Sequence, residues 1–221
     1  MVQRNLILNT NSLIFRTDSF SGLRTEKLKT YKIIHTPNHR GVKGTEFIIN
    51  AVQRLQKEGY RLELVLIENK SNDEVHRIMS LEADILIEQL NGYGYALSGL
   101  ECMACGIPVI SSPQDDDYME LLRTMSFFDE CPLIGSSPTL IYHDLKALLD
   151  NPSLMVELGE AGQKFVKKYH SYEAARFFFG EIIKKLYDNE YQIINMFHPL
   201  IGSYKASESK IRTSLIKNRI S

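Results

Sequence analysis

At 221 residues, 43% of them hydrophobic, the chain is long enough for one large domain with a sizeable core and too apolar to be disordered. A formal net charge of −1 leaves no electrostatic footprint for nucleic acid and excludes that partner class. Three cysteines offer no even disulfide framework, and no run reaches the ~18 apolar residues of a membrane span, so the composition reads as cytoplasmic.

Residues 1–30 are polar and irregular, an N-terminal extension with room for a short strand near Leu6. Asn9 and Asn11 interrupt its apolar run, which argues against a signal peptide. Lys32–Thr36 reads as a buried strand stopped by Pro37, and Thr45 can cap a helix with Phe47, Ile48, Ala51, Val52 and Leu55 at helical period. Leu62–Ile67 is the second strand. Ser71 or Asn72 opens a helix through Leu81, and Ala83–Ile87 is the third strand. Gly92 to Ala96 is a glycine-bearing loop feeding a helix that holds a single acid, Glu101. Gly106 stops that helix, Pro108 keeps it from resuming, and Ile107–Ser111 is a fourth strand. The acidic loop Asp115-Asp116-Asp117 leads to a short helix ending near Met125, and Pro132–Ile134 is a small fifth strand. Ser136 or Ser137 is expected to cap a helix with Pro138 in its first turn, running to Leu149. Asn151-Pro152 opens another helix, His170-Ser171 breaks it, and a last helix reaches about Tyr187. Residues 188–221 form a tail with a basic end that can be helical.

Strands alternating with helices imply right-handed crossovers, hence a mainly parallel sheet with helices on both faces, a Rossmann-like three-layer αβα sandwich. Ligands of such sheets sit outside the carboxyl ends of the strands. The loops 38–44, 89–96 and 111–116 all belong to that edge. A loop feeding a helix N-terminus there, with an acid further along, suits the phosphates and ribose of a nucleotide.

The segment 31–187 resembles the C-terminal, donor-binding domain of group-1 retaining glycosyltransferases of the GT-B fold. Pro37-Asn38-His39-Arg40-Gly41-Val42-Lys43-Gly44-Thr45 is similar to the basic loop that opens the family's first helix. Gly94-Tyr95 through Glu101-Cys102-Met103-Ala104-Cys105-Gly106-Ile107-Pro108-Val109 is similar to its E-G-F-G…E-A-M-A-x-G-x-P-V. Asn151-Pro152, Leu158-Gly159, Phe165 and Tyr169-His170-Ser171 are similar to its closing helices.

The resemblance implies that Arg40 and Lys43 face the diphosphate of a nucleotide-sugar donor, that Glu101 accepts hydrogen bonds from the ribose, and that Gly94, Tyr95 and neighbouring amides approach phosphate or sugar. His39, Gly41 and Tyr93 are secondary candidates, and no residue is assigned as catalytic. The expected activity is transfer of a sugar from a UDP- or GDP-linked donor to an acceptor glycan or lipid-linked sugar, with retention, without cofactor or metal. The protein would be cytoplasmic or peripheral at the inner membrane face. Two departures stand out. Tyr93 occupies the position of the first acid of the family's E-x7-E, and Glu88, nearby, belongs by position to the preceding strand. Only about 30 residues precede the domain, too few for the acceptor-binding half, which leaves a fragment of a longer chain, a separate partner domain or chain, or an incomplete enzyme as the expectations. The alternative expectation is therefore a non-catalytic or partner-dependent half-transferase.

Other chemistry reads as packing. Cys102 and Cys105 sit inside a helix without a second Cys/His pair, and His35 lies in an apolar strand. A dinucleotide oxidoreductase is excluded because no G-x-G-x-x-G follows the first strand.

Overall fold

The computed structural model of the chain describes residues 29–92, 94–112 and 128–187. Expectations for 1–28, for position 93, for the loop at 115–117 with its following helix, and for 188–221 lie outside the described residues. The elements are β1 (Tyr31–His35), α1 (Arg40–Lys43), α2 (Thr45–Lys57), β2 (Leu62–Leu66), α3 (Asn72–Glu82), β3 (Ile85–Ile87), α4 (Leu97–Ala104), β4 (Val109–Ser111), β5 (Ile134–Gly135), α5 (Ile141–Leu149), α6 (Pro152–Tyr169) and α7 (Tyr172–Tyr187), with a 3-10 turn at Phe128–Glu130.

The five strands form one sheet in the order β2-β1-β3-β4-β5, and every pair is parallel. This is the expected α/β architecture. Alternation along the strands splits the core in two. Ile33, Ile85, Ile87 and Ile110 face α2 and α5, where they meet Ile48, Val52, Leu55, Leu145 and Leu148. Ile34, Leu86 and Val109 face the other side, against α3, α4, α6 and α7 through Met79, Cys102, Met103, Phe165 and Phe178. β3 and β4, with helices over both faces, are buried at every residue, which explains their unbroken apolar runs. Each fully buried Ile or Leu contributes about 1.5–3 kcal/mol relative to exposure.

α2 and α3 lie on opposite faces, so the chain reverses its direction of travel across the sheet at β1. By the rule for open parallel sheets, this switch point places the ligand crevice at the carboxyl ends of the strands. Two helix starts differ from expectation: Thr45 lies inside α2 behind its N-cap Gly44, its hydroxyl bonded to His35 instead of capping, and α5 starts late. α5 begins at Ile141, because Leu140 N and Ile141 N both donate to Ser137 O and make a turn of Ser137–Leu140. Pro138 therefore precedes the helix instead of entering its first turn. α6 and α7 start where expected, at Pro152 after Asn151 and behind Ser171, whose Oγ accepts from Ala174 N at 3.1 Å.

Candidate functional site

The crevice is built from the loops at 36–44 and 88–96 and from the first turns of α3 and α4. Its floor is the end of β1. His35 is fully buried, with Nδ1 2.7 Å from Ile87 O and Nε2 2.9 Å from Thr45 Oγ1, and so joins β1, β3 and α2. Both bonds are satisfied by a neutral ring. Burial, reinforced by Lys43 and Arg40, drags its pKa from 6.5 to about 4. His170, behind the crevice, is likewise lowered by burial to about 4.

The sign of the consequence is fixed. Above pH 6.5 folded and unfolded chains are equally unprotonated at these rings. Between pH 6.5 and 4 the unfolded chain binds the protons and the folded chain does not. Stability therefore falls on acidification by about 1.4 kcal/mol per pH unit for each ring. Urea-unfolding free energies should show this slope from pH 6.5 to 4.5, shallower in His170→Phe; equal stability across that interval contradicts the two neutral rings.

Lys43 lies directly above, 7% exposed, with Nζ donating to Gln89 Oε1 at 3.1 Å. Gln89 Nε2 in turn donates to Gly94 O at 3.3 Å, and Ser111 Oγ donates to the same carbonyl at 2.6 Å. Leu90 N donates to Lys43 O at 3.2 Å and Asn91 Nδ2 to Gly41 O at 2.8 Å. Lys43, Gly41 and Gly94 are thus brought onto one network across the ends of β1, β3 and β4. Burial lowers the Lys43 pKa, and the Glu88 carboxylate opposes that shift. His39 caps α1, its Nδ1 accepting from Val42 N at 3.4 Å.

Arg40 stands apart, on the β2 side. Its Nε and Nη2 grip both oxygens of Glu68 at 2.9 and 2.8 Å, and Nη1 reaches Glu46 at 3.3 Å. The Glu68 hydrogen bonds raise the Arg40 pKa, and the same pair holds Glu68 below the ordinary carboxylate range. Glu101, on α4, lies on the opposite rim. Its side chain is 14% exposed and Oε1 sits 3.0 Å from His76 Nε2 on α3. Burial raises its pKa and His76 opposes the rise.

Two expectations change. The helix N-terminus expected to receive phosphate is already filled. Glu88, fully buried just past β3, accepts through Oε1 from Ala96 N at 2.9 Å, Ser98 Oγ at 2.7 Å and Gly99 N at 3.1 Å. Gly94 N is also engaged, with Ser112 O at 2.9 Å. These three amides serve the chain itself. Secondly, the Tyr95 ring turns away from the crevice. It stacks on Phe128 at 5.8 Å and meets Phe165 and His170 edge-on, both at 6.5 Å.

Glu88 is the residue that sequence reasoning passed over. It lies between Lys43 and Glu101, close enough to act on both charges. The readable signal was an acid placed straight after the wholly apolar Ile85-Leu86-Ile87, where an unsatisfied carboxylate is costly.

Cys102, Cys105 and Cys131 are buried free thiols, and burial pushes Cys105 up to about 11. Among the described residues no group of three or more His, Cys, Asp or Glu is disposed to hold a metal ion. No described helix is long and apolar enough to cross a membrane. A depression of about 290 Å³ lies at the other end of the sheet, between the starts of β1 and β3. Its charges pair among themselves, Lys29 with Asp84 at 2.6 Å and Lys32 with Glu82 at 2.8 Å, and it is remote from the carboxyl-end crevice.

Residues 69–176 match the family model described as Glycosyl transferase-like, a stretch that contains Glu88, Glu101 and most of α6. No curated protein matches the chain. Sucrose-phosphate synthase from Thermosynechococcus elongatus is similar at 17% identity and a TM-score of 0.56, over 82% of this chain and 51% of that one. The C-terminal domain of a glycosyl transferase group 1 family protein (LpcC) from Francisella tularensis gives 16% identity and 0.51, over 75% and 99%. Anabaena Alr3699/HepE, in complex with UDP, gives 12% and 0.55, over 81% and 56%. At these identities the likeness is one of fold. The chain spans about half the length of the synthase and of HepE. The fold is that of GT-B glycosyltransferases, consistent with their C-terminal, donor-binding domain, and the resemblance drawn from the motifs is borne out.

Proposed function

We propose that this chain binds a nucleoside-diphosphate sugar at the carboxyl ends of β1 and β3, and serves as the donor half of a glycosyl transfer. The observation that carries this reading is the convergence of Lys43, Arg40 and Glu101 on one edge of a parallel sheet. That edge is the one such folds use for ligands. The same fold holds UDP in HepE, which makes a uridine nucleotide the first ligand to test.

In the reaction the bond from the anomeric carbon to the β-phosphate oxygen breaks. A bond forms from that carbon to an acceptor hydroxyl, whose proton leaves with the diphosphate. Negative charge grows on the departing diphosphate, and two fixed cations stabilise it most where water is excluded. Lys43 suits this role because its ammonium is already desolvated and held by a neutral amide that an anion can displace. Arg40 suits it because Glu68 takes Nε and Nη2 and Glu46 reaches Nη1, which leaves one further N–H on each terminal nitrogen for an anion. Glu101 would hold the ribose. Retention, a hexosyl donor and a glycan or lipid-linked acceptor are carried by the family resemblance. Tyr93, where the family has an acid, favours a second reading, a donor-binding module that turns over only with a partner domain or chain.

Calorimetry with UDP and GDP tests the site. Lys43→Met and Glu101→Gln should each weaken binding by about 1–3 kcal/mol, the range for losing a charged hydrogen bond. Unchanged affinity in both variants would refute the assignment. Transfer assays on the chain alone and with candidate partners then separate the complete donor half from the dependent module.

A further inference from the structure

Glu101 reaches the crevice rim from α4, and the group that sets its orientation comes from a different helix. α3 begins at the carboxyl end of β2 behind its cap Ser71, and α4 begins at the same end of the sheet, so His76 and Glu101 each sit about one turn in from the ligand edge. The two helices share one side of the core, Val75, Ile78 and Met79 packing in the cluster that holds Cys102 and Met103. The apolar contact fixes the distance between the helices. The polar contact at its rim, His76 Nε2 to Glu101 Oε1 at 3.0 Å, then fixes where the carboxylate points.

That contact uses one oxygen. Oε2 makes no hydrogen bond to a described residue, and it is not sealed in the interior as Oε2 of Glu88 is. A carboxylate held by one oxygen and open at the other is prepared to accept a hydroxyl. An untethered glutamate would have to lose its rotamer freedom on binding. His76 serves in either protonation state, because the Nε2–H tautomer and the imidazolium both donate.

We infer that His76 is a positioning residue that presents Glu101 Oε2 to the ribose hydroxyls of the nucleotide. This rests on the assignment of Glu101 to the ribose, and the role belongs to recognition of the sugar ring, apart from the diphosphate and the base. Charge supports the geometry. Burial and the nearby Glu88 carboxylate both favour the protonated form of Glu101, and His76 is the group that opposes them. Without His76 the side chain would be freer to rotate and less fully ionised, and a neutral carboxyl is a poorer acceptor.

A mere staple between α3 and α4 would lack ribose selectivity, and this separates the two roles. Calorimetry uses whichever of UDP and GDP the wild-type chain binds, beside its 2′,3′-dideoxy counterpart. His76→Ala should weaken the ribonucleotide about fivefold, as for a partial loss of a charged hydrogen bond, and leave the dideoxy form within about twofold. His76→Gln keeps an N–H donor at similar reach and should restore the ribonucleotide. Equal weakening of both ligands in His76→Ala makes the contact structural and overturns the inference, as does unchanged binding of both. Glu101→Gln is the separate control. If Glu101→Gln discriminates between the ligands and His76→Ala does not, the ribose assignment stands and the positioning role falls. If Glu101→Gln does not discriminate, the ribose assignment itself fails. Binding of neither nucleotide by the wild-type chain overturns both.

Discussion

Glu88→Ala is expected to destabilise the fold by about 3 kcal/mol, measured by urea unfolding at pH 7, whereas Glu88→Gln should stay within about 1 kcal/mol of wild type. α4 has no cap of its own. Its N-cap is Ala96, without a side-chain bond, and no acid lies in its first turn. The capping acid comes instead from the end of β3, through three hydrogen bonds to a single carboxylate oxygen. Alanine removes that acceptor and leaves two amides and a hydroxyl without a partner, in a first turn where an anion is also favoured by the helix dipole. Glutamine retains the shape and an accepting oxygen and removes a buried charge whose second oxygen has no partner. An alanine variant within 1 kcal/mol of wild type would show that α4 does not depend on this cap.

The cap also bears on the ligand. An anion at the N-terminus of α4 is already supplied by the protein, so under the proposed donor reading a diphosphate would meet Lys43 and Arg40 ahead of that helix end. Gly99 makes the arrangement possible, since a Cβ there would lie 2.9 Å from Glu88 Oε2. Expectation from sequence put the phosphate at that helix end because loop, helix and downstream acid are all local features. Glu88, eight residues before the first amide that it binds, reads locally as the last residue of a strand.

The same division between local and distant features runs through the chain. The parallel sheet was legible because each strand announces itself, by the apolar runs Ile33-Ile34 and Ile85-Leu86-Ile87 and by stops such as Pro37 and Gly59. The positions of Lys43 and Glu101 at one edge followed from topology alone. Side-chain partners did not. Tyr95 sits in the ligand loop by sequence, yet its ring is captured by Phe128, Phe165 and His170, which arrive from the 3-10 turn and α6. His76 lies on a helix that periodicity predicts well, and nothing near it in sequence indicates that it faces Glu101. The start of α5 was displaced for a local reason of another kind. Pro138 fits a first helical turn and a preceding turn equally well, and Ser137 O, accepting two amides, decides for the turn.

Gly159→Ala should be costlier still, about 3 kcal/mol or more, although alanine is the better helix former by about 1 kcal/mol. Gly159 lies in α6 where that helix crosses the end of α4. A Cβ there would overlap the carbonyl oxygen of Gly106 and come within 3.0 Å of its carbon, so relief requires a shift of backbone and cannot come from a rotamer. Gly106 is poorly placed to yield, because it holds the left-handed turn, φ 76, that ends α4 and turns the chain into β4. At Gly162, one turn on, an added Cβ would lie 3.1 Å from Met103 Cβ and 3.2 Å from its Cα, so the two glycines cut a groove in α6 that admits α4. Gly180→Ala in α7 provides the control, since a Cβ there meets nothing within 4 Å, and it should stabilise by about 0.5–1 kcal/mol. Opposite signs for two glycine-to-alanine changes in neighbouring helices separate packing from propensity; a Gly159→Ala variant as stable as wild type contradicts the close crossing. The effect should reach the crevice as well. Glu101 lies five residues before Gly106 on the helix that would be pushed away, so, on the proposed donor reading, Gly159→Ala should lose ribonucleotide affinity under conditions where it remains folded.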